Sequence, residues 1–399
     1  MDATSGPVHD RQGAVPEAAW SAANEADHAE GSSMPGGETQ EPPLMPDLDT
    51  RYAARLAAYG AVSTELSLLS DRRLGQAVAG ATALGSGIGG RSAEIDIGGR
   101  RVFVKRIPLT DAELRPENVR STANLFGLPL FYQYGVGSAG FGGWRELAVH
   151  TMTTNWVLGR EYEGFPLMYH WRVLPDSPPE GFADAFGGID GAVAHWEGSQ
   201  AVRARLEAIG RATSSLVLFV EHVPQTLAAY LAGSRQAAPG GGGEGSPYPW
   251  VEEALTGGTA FMSSRGLVHF DAHFINILTD GRRLYFADFG LALSSGFELT
   301  AAEAAFLSEH LDYDHCSTMG HLLRYHLLDD LRGDLDQQAF LRDWIAGRRP
   351  GDVPPAIAAI IDRNARAAIV LNGFHHRLIN TSKRTPFPAA EIKRARQVT

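Results

Sequence analysis

A single cysteine, Cys316, occurs in 399 residues. An intramolecular disulfide and a cysteine-built metal site are therefore excluded, and a reducing, cytoplasmic setting is expected. No uninterrupted apolar run reaches the roughly 18 residues that a membrane-spanning helix needs. The chain begins Met1-Asp2-Ala3, without a basic or apolar signal region, so secretion is not expected. Positive charge is scarce as well: 35 Lys and Arg stand against 46 Asp and Glu, a formal net charge of -11. That balance argues against broad nucleic-acid binding, which needs a cationic surface, and against docking on a membrane through basic residues. Hydrophobic residues, in contrast, make up 44%. That is enough for a sizeable core in a chain that is long for one compact domain and comfortable for a pair of lobes.

Residues 1–48 are rich in Gly, Ser, Pro, Ala, Glu and Asp. They bury too little surface to offset chain entropy, and a disordered acidic tail is expected. From Asp49 to Leu74, the residues Leu56, Tyr59, Val62, Leu66 and Leu69 recur at helical spacing, which predicts one or two helices. Gly85, Gly87 and Gly90 then satisfy G-x-G-x-x-G, a weak signal in a chain with 45 glycines. Ala93 to Ile97 alternates like a strand, Gly98-Gly99 turns, and Arg100 to Val104 is a second strand ending at Lys105. A dinucleotide-binding turn would have its glycines opening a helix, and no helix pattern follows Gly90.

Further on, Glu113 and Glu117 flank Pro116, which interrupts a helix. Leu125 to Gly143 reads as a strand-like or loop insertion, and Trp144-Arg145-Glu146 opens a helix reaching Val157. Phe165 to Leu174 predicts a strand, residues 175–198 a Pro/Gly-rich insertion, and Ala201 to Arg211 an amphipathic helix. Leu216 to Val220 predicts a buried strand, followed by a short polar link and a helix from Thr226. Gln236 to Pro249 reads as a glycine-rich surface loop. Trp250 to Arg265 predicts a helix closed by Gly266.

The chain is organised around Leu267 to Leu293. His269, Asp271, His273, Asn276 and Asp288 form two polar islands between apolar runs. Asn276 to Leu278, the turn Thr279-Asp280-Gly281 and Leu284 to Ala287 read as a hairpin with carboxylates at both mouths. His269-x-Asp271-x-x-x-x-Asn276 followed by Ala287-Asp288-Phe289-Gly290 resembles the catalytic and metal-binding loops of the protein-kinase-like superfamily. The resemblance implies an α+β, two-lobed fold: an antiparallel sheet lobe over 49–221 and a mainly helical lobe over 222–399. It implies ATP and magnesium as cofactors and transfer of a phosphoryl group to a hydroxyl. Asp271 would act on the proton of the attacking hydroxyl, Asn276 and Asp288 would bind magnesium, and Lys105 would neutralise phosphates beneath a lid holding Gly85, Gly87 and Gly90. Of Glu113, Glu117 and Glu146, the last is taken as the partner of Lys105, because it opens a continuous helix. Backbone groups near Glu221 and Val223 would meet the adenine edge at the link between lobes. His269 would tie its loop to the turn at Asp288, and Asp314 would brace the catalytic loop.

The acceptor is less sharply drawn. Asp271-x-His273 resembles aminoglycoside- and choline-type small-molecule kinases, whereas Ala287-Asp288-Phe289-Gly290 is similar to protein kinases. An atypical bacterial Ser/Thr protein kinase is the expectation, a small-molecule hydroxyl kinase the alternative, and a nucleotide-binding pseudokinase the non-enzymatic one. From Leu291 no Ala-Pro-Glu motif follows, and the capping pair Thr300-x-x-Glu303 starts a helix early. A transition-metal site at His269, His273 and the two aspartates would leave the glycine hairpin and the lysine strand unexplained. Ile357 to Ile379 predicts an amphipathic helix, and the basic residues from Lys383 to Arg396 a solvated tail.

Overall fold

The computed structural model describes residues 48–135, 137–237, 246–329 and 331–397. The acidic tail expected over 1–48 lies outside them but for its last residue, as do 238–245 of the expected glycine-rich loop. Two units divide the chain, 1–51 and 52–399. Only the start of a helix is described in the first unit, and every other described element belongs to the second.

The second unit is mixed α+β with a five-stranded antiparallel sheet in the order β1-β2-β3-β5-β4. The strands are β1 (Thr82–Gly87), β2 (Gly90–Ile97), β3 (Arg100–Leu109), β4 (Met168–Pro175) and β5 (Ser214–Glu221). The β2–β3 turn is Gly98-Gly99, both with positive φ (58° and 76°), the geometry a two-residue hairpin requires. Strand β5 is buried from Ser215 to Val220 because strands flank it on both sides and side chains cover both its faces.

Side-chain alternation along β3 decides what each face meets. Val102 and Val104 pack with Val62, Leu66, Leu74 and Val78 of helices α1 (Leu48–Leu68) and α2 (Asp71–Ala79). Ile107 and Leu109 pack on the opposite face with Trp144 and Leu147 of helix α4 (Gly143–Leu158). Lys105 shares the parity of Ile107 and therefore points to the α4 side. Between β3 and α4 the chain makes α3 (Asp111–Leu114) and two 3-10 turns, Pro116–Asn118 and Leu130–Gln133.

The expected insertion over 175–198 is more ordered than its composition predicts. It holds the 3-10 turn Asp184–Phe186 and helix α5 (Ile189–His195), followed by α6 (Gln200–Ile209). Trp196 and Leu206 from this region pack with Leu128, Tyr132 and Phe141 from the other insertion as a separate apolar core, and Ile88 from the β1–β2 turn packs against it. Neither insertion has an amphipathic repeat that would show this pairing in the sequence.

The rest is mainly helical. Strand β6 (Gln225–Thr226) leads into α7 (Leu227–Ala237), and α8 (Tyr248–Ser264) into β7 (Leu267–Val268). The hairpin β8 (Ile277–Thr279) and β9 (Leu284–Phe286) comes next, then β10 (Leu293–Ser294), which pairs antiparallel with β7. Helices α9 (Ala301–Glu309), α10 (Tyr313–Leu322), α11 (Gln337–Ile345), α12 (Pro355–Asn380) and α13 (Ala389–Gln397) complete the unit. The basic segment from Lys383 is not a solvated tail. Lys383 is buried and donates to the Leu378 carbonyl at 3.2 Å, and Arg384 pairs with Glu197 at 2.7 Å. Ile392 buries one side of α13. No described helix is long and apolar enough to cross a membrane.

Candidate functional site

The loop from β7 to β8 carries Asp271 in a backbone that its neighbours must hold in place. Phe270 has φ 64°, a conformation a bulky residue rarely adopts. Two features fix it there. The Asp314 carboxylate, at the start of α10, accepts from the His269 N–H at 2.6 Å and the Phe270 N–H at 2.9 Å. The Phe270 ring meanwhile packs among Tyr134, Phe306, His310 and Tyr313. Past Asp271, the Asn276 Nδ2 donates to the Asp271 carbonyl at 3.0 Å and to its Oδ2 at 3.1 Å.

The second loop is tied to the first. The His269 Nε2 bonds the Ala287 carbonyl at 2.8 Å, and the Ala287 N–H donates to the Asn276 carbonyl at 2.9 Å. Asp288 has φ 60°, so this loop too turns on a left-handed residue. Strained backbone of this kind persists only where surroundings over-determine it, and it clusters at functional sites.

The Lys105 Nζ joins these loops to the sheet. It donates to Glu146 Oε1 on α4 and to Asp288 Oδ1, both at 2.7 Å. Lys105 and Glu146 are buried, whereas the Asp288 side chain stays 44% exposed. Two carboxylates therefore share one ammonium, an excess of negative charge at the exposed end of the group. Burial works against the charged lysine, but Asp288 and Glu146 overcome it and hold its pKa above the usual value. Burial raises Asp288, but Lys105 dominates and brings it down to about 2. Glu146 carries the remaining strain: burial lifts it to about 7, opposed by Lys105 and reinforced by Asp288. Nearby His150 is kept neutral, its pKa lowered to about 3 by burial and by Lys105.

No protein-family model matches the chain, and no curated protein matches it.

Asp271 is pushed up to about 6, by burial first and with Asp288 adding, against His273 and Lys105. It is therefore a carboxylate at neutral pH with a basicity suited to proton transfer. Asp288 and Asn276 offer hard oxygen donors. The Asn276 amide spends its N–H groups on Asp271, which leaves Oδ1 to meet a cation. Oxygen donors in such small number suit magnesium, which keeps several waters and phosphate oxygens in its shell. Among the described residues no group of three or more His, Cys, Asp or Glu is arranged to hold a metal alone. His269 in particular has its Nε2 committed to the Ala287 carbonyl.

The remaining expected residues fall in different places. Gly87 on β1 and Gly90 on β2 pair across the turn Ile88-Gly89, and of these strands β2 lies next to that of Lys105. Gly90 has φ 128°, and a Cβ there would overlap the Arg106 carbonyl oxygen, so glycine is required by the strand contact itself. A Cβ on Gly87 meets nothing within 4 Å, and one on Gly85 only Ser92 Oγ at 3.7 Å. The Glu221 N–H donates to the Leu167 carbonyl at 2.8 Å, so an adenine edge would have to meet other backbone groups near it. Its carboxylate takes Arg55 from α1, with Arg55 Nε at 2.8 Å, and also the Leu167 N–H at 3.0 Å. Val223 is half-buried beyond it.

Glu113 is also spent elsewhere. It forms a capping box with Thr110, pairs with Arg205 at 2.7 Å and accepts from the Gly143 N–H at 2.8 Å. Thr110-x-x-Glu113 is a readable capping signal, and it assigns Glu113 to structure rather than to Lys105. Glu117 is exposed. One further signal is compositional. The chain has only three lysines, Lys105, Lys383 and Lys393, among 35 basic residues. A lysine at this strand position therefore departs from the chain's strong preference for arginine.

No residue pattern points to the segment that lies against the two loops. A methyl group added to Gly135 would overlap the Asp271 Oδ1 and crowd Leu291, and one added to Gly140 would overlap the Gly290 carbonyl oxygen. The Gln133 Nε2 donates to the Leu291 carbonyl. Tyr134 anchors the segment through its hydroxyl, 2.7 Å from the His310 Nε2.

Proposed function

We propose that this chain is an ATP- and magnesium-dependent phosphotransferase of two-lobed, protein-kinase-like build that phosphorylates a hydroxyl group. The observation that carries the reading is the meeting of Lys105, Glu146 and Asp288 beside a loop that holds Asp271 against Asn276. Phosphoryl transfer asks a protein mainly for positioning and charge neutralisation, and this set supplies both. Glu146 aims the ammonium of Lys105 toward the exposed face of Asp288. Asp288 and the Asn276 Oδ1 are the residues that would hold magnesium. Magnesium, when bound, neutralises charge on phosphate oxygens. Asp271 accepts the proton of the acceptor hydroxyl, and Asn276 fixes the orientation of its carboxylate. Gly85 and Gly87 on β1, ahead of the Ile88-Gly89 turn, leave room for phosphates to approach backbone amides.

Mg-dependent nucleotide binding tests this reading, measured by calorimetry on the full chain, with ADP release as a second readout. The wild type is expected to bind ATP only with magnesium, and Asp288→Ala to weaken that binding at least tenfold. A wild-type chain that binds no nucleotide with magnesium present sinks the proposal. Tight binding with no ADP release for any acceptor selects the pseudokinase reading instead.

A further inference from the structure

We infer that residues 119–135 and 137–142 form an acceptor-selecting wall, with Gly135 at its point of contact, and that they restrict the acceptor to a compact alcohol rather than an extended polypeptide. The inference rests on the phosphotransfer reading and deepens it.

An extended peptide docks by adding to a free strand edge, where main-chain hydrogen bonds supply affinity. The stretch after Gly290 is where such an edge would have to lie beside Asp271, and its N–H donors from Ser295 to Leu299 are taken. Strand β10 pairs with β7. From Ser295 to Leu299 every backbone N–H already has an acceptor within the chain. One of them, the Glu298 N–H, donates to the Thr122 Oγ1 at 2.9 Å, and the Glu298 carboxylate accepts from the Thr122 N–H at 3.1 Å and from the Ser121 hydroxyl. The two segments are thus laced to each other rather than left open.

The lacing continues towards the carboxylate. Gln133 holds the Leu291 carbonyl, and the Gly135 backbone lies so close to Asp271 that no side chain fits between them. The wall is backed by the apolar core around Trp196 and anchored by Tyr134 on His310. It is therefore a built part of the site and not a loose loop. Asp271 keeps 25% of its side-chain surface exposed, next to His273, which keeps 28% at 3.8 Å from the Asp271 Oδ1. That exposed edge is where an acceptor hydroxyl would have to reach the Asp271 carboxylate.

In the transfer, the acceptor oxygen forms a bond to the γ-phosphorus as the bond from that phosphorus to the β–γ bridging oxygen breaks. The hydroxyl proton passes to Asp271 and then to solvent. The products are ADP and a phosphate monoester, with no redox change.

The test uses the full chain with Mg-ATP and reads ADP release and ester formation. The acceptors are a panel of polyols, amino alcohols and nucleosides, set against a Ser/Thr peptide library and unfolded casein. At least one compact alcohol is expected to raise turnover tenfold or more over the water background, and no peptide to do so. Glu298→Ala, at an exposed point, combined with Gln133→Ala, at a buried one, unlaces the wall, and the Tm of the double variant shows whether it has folded. It is expected to lower turnover of the compact alcohol at least fivefold and to raise peptide phosphorylation from background, with Mg-ATP affinity unchanged. Gly135→Ala is expected to lower acceptor turnover with nucleotide affinity intact, and its Tm shows whether it has folded. Peptide phosphorylation by the wild type exceeding that of every compact alcohol overturns the inference and leaves the phosphotransfer reading standing. ATP binding without stimulation by either class overturns it as well. Failure to bind Mg-ATP at all removes both, and the binding measurement separates that case from the others.

Discussion

The two carboxylates at the centre of the site are held in opposite ways. Asp288 is held by charge: its partner Lys105 comes from β3, and that lysine is aimed by Glu146 from α4. Asp271 is held by shape: Asn276 fixes its oxygen, Asp314 pins two N–H groups ahead of it, and Gly135 closes one side. Charge-held groups adapt when a cation arrives, because the lysine and a metal can share the same carboxylate. Shape-held groups stay put, as a proton acceptor must if the reacting oxygen is to meet it at hydrogen-bonding distance. On the proposed function, the site would separate a region free to rearrange on binding from a region that is not.

Three substitutions test that contrast. Asp271→Ala is expected to have the largest effect, lowering turnover by about 10²–10⁴-fold, the range for a positioned proton acceptor. Mg-ATP affinity should stay within a few-fold of wild type, since Asp271 does not hold Lys105. A parallel loss of nucleotide binding in calorimetry would show that the two regions act as a single unit.

Lys105→Met comes second, read by thermal melts at two pH values. Without the ammonium, burial and Asp288 push the Glu146 carboxyl above its present value of about 7. An acid whose folded pKa lies above its unfolded value favours the fold at low pH and loses that advantage as pH rises between the two. The destabilisation is therefore expected at both values, because Asp288 loses the partner that holds its carboxyl down to about 2, and to be larger by about 1 kcal/mol near about pH 8 than near about pH 5, where Glu146 is protonated with or without the lysine. A loss of equal size at both pH values would mean that Glu146 does not carry the excess charge.

Asp314→Ala is expected to have the smallest effect on stability, about 1–3 kcal/mol, for leaving two buried N–H groups without an acceptor. Part of that loss is offset, because burial already raises the Asp314 carboxyl to about 7. Its signature is the split it produces: turnover falls while Mg-ATP affinity is kept. A variant with full turnover would show that the φ of Phe270 needs no brace.

Much of the charge-held region was legible in the sequence. The alternation of β3 places Lys105 opposite Val102 and Val104, and the helix opened by Glu146 runs unbroken to Leu158. Where the reading fell short, the missing information was tertiary. Nothing local to Glu221 announces Arg55, which reaches its carboxylate from 166 positions earlier in the chain. Lys383 and Arg384 look like a basic tail until Leu378 and Glu197 are placed beside them. The wall around Gly135 left no trace in periodicity, because it is made of loop and short turns. Its apolar residues become a core only when Trp196 and Leu206 close over them. Local rules report helices and strands, and this site depends on loops from distant stretches of the chain meeting.

The scarcity of lysine makes the charge-held region directly visible to chemistry. Of the three amines on side chains, Lys393 is exposed, Lys383 is buried against a carbonyl, and Lys105 is locked between two carboxylates. An acylating reagent needs a free, unprotonated amine, so Lys105 is shielded for as long as both ion pairs stand. Counting acyl groups by intact mass over time would then report how often the Lys105–Asp288 contact opens. The chain in effect carries its own clock for that motion, with Lys393 as the internal reference.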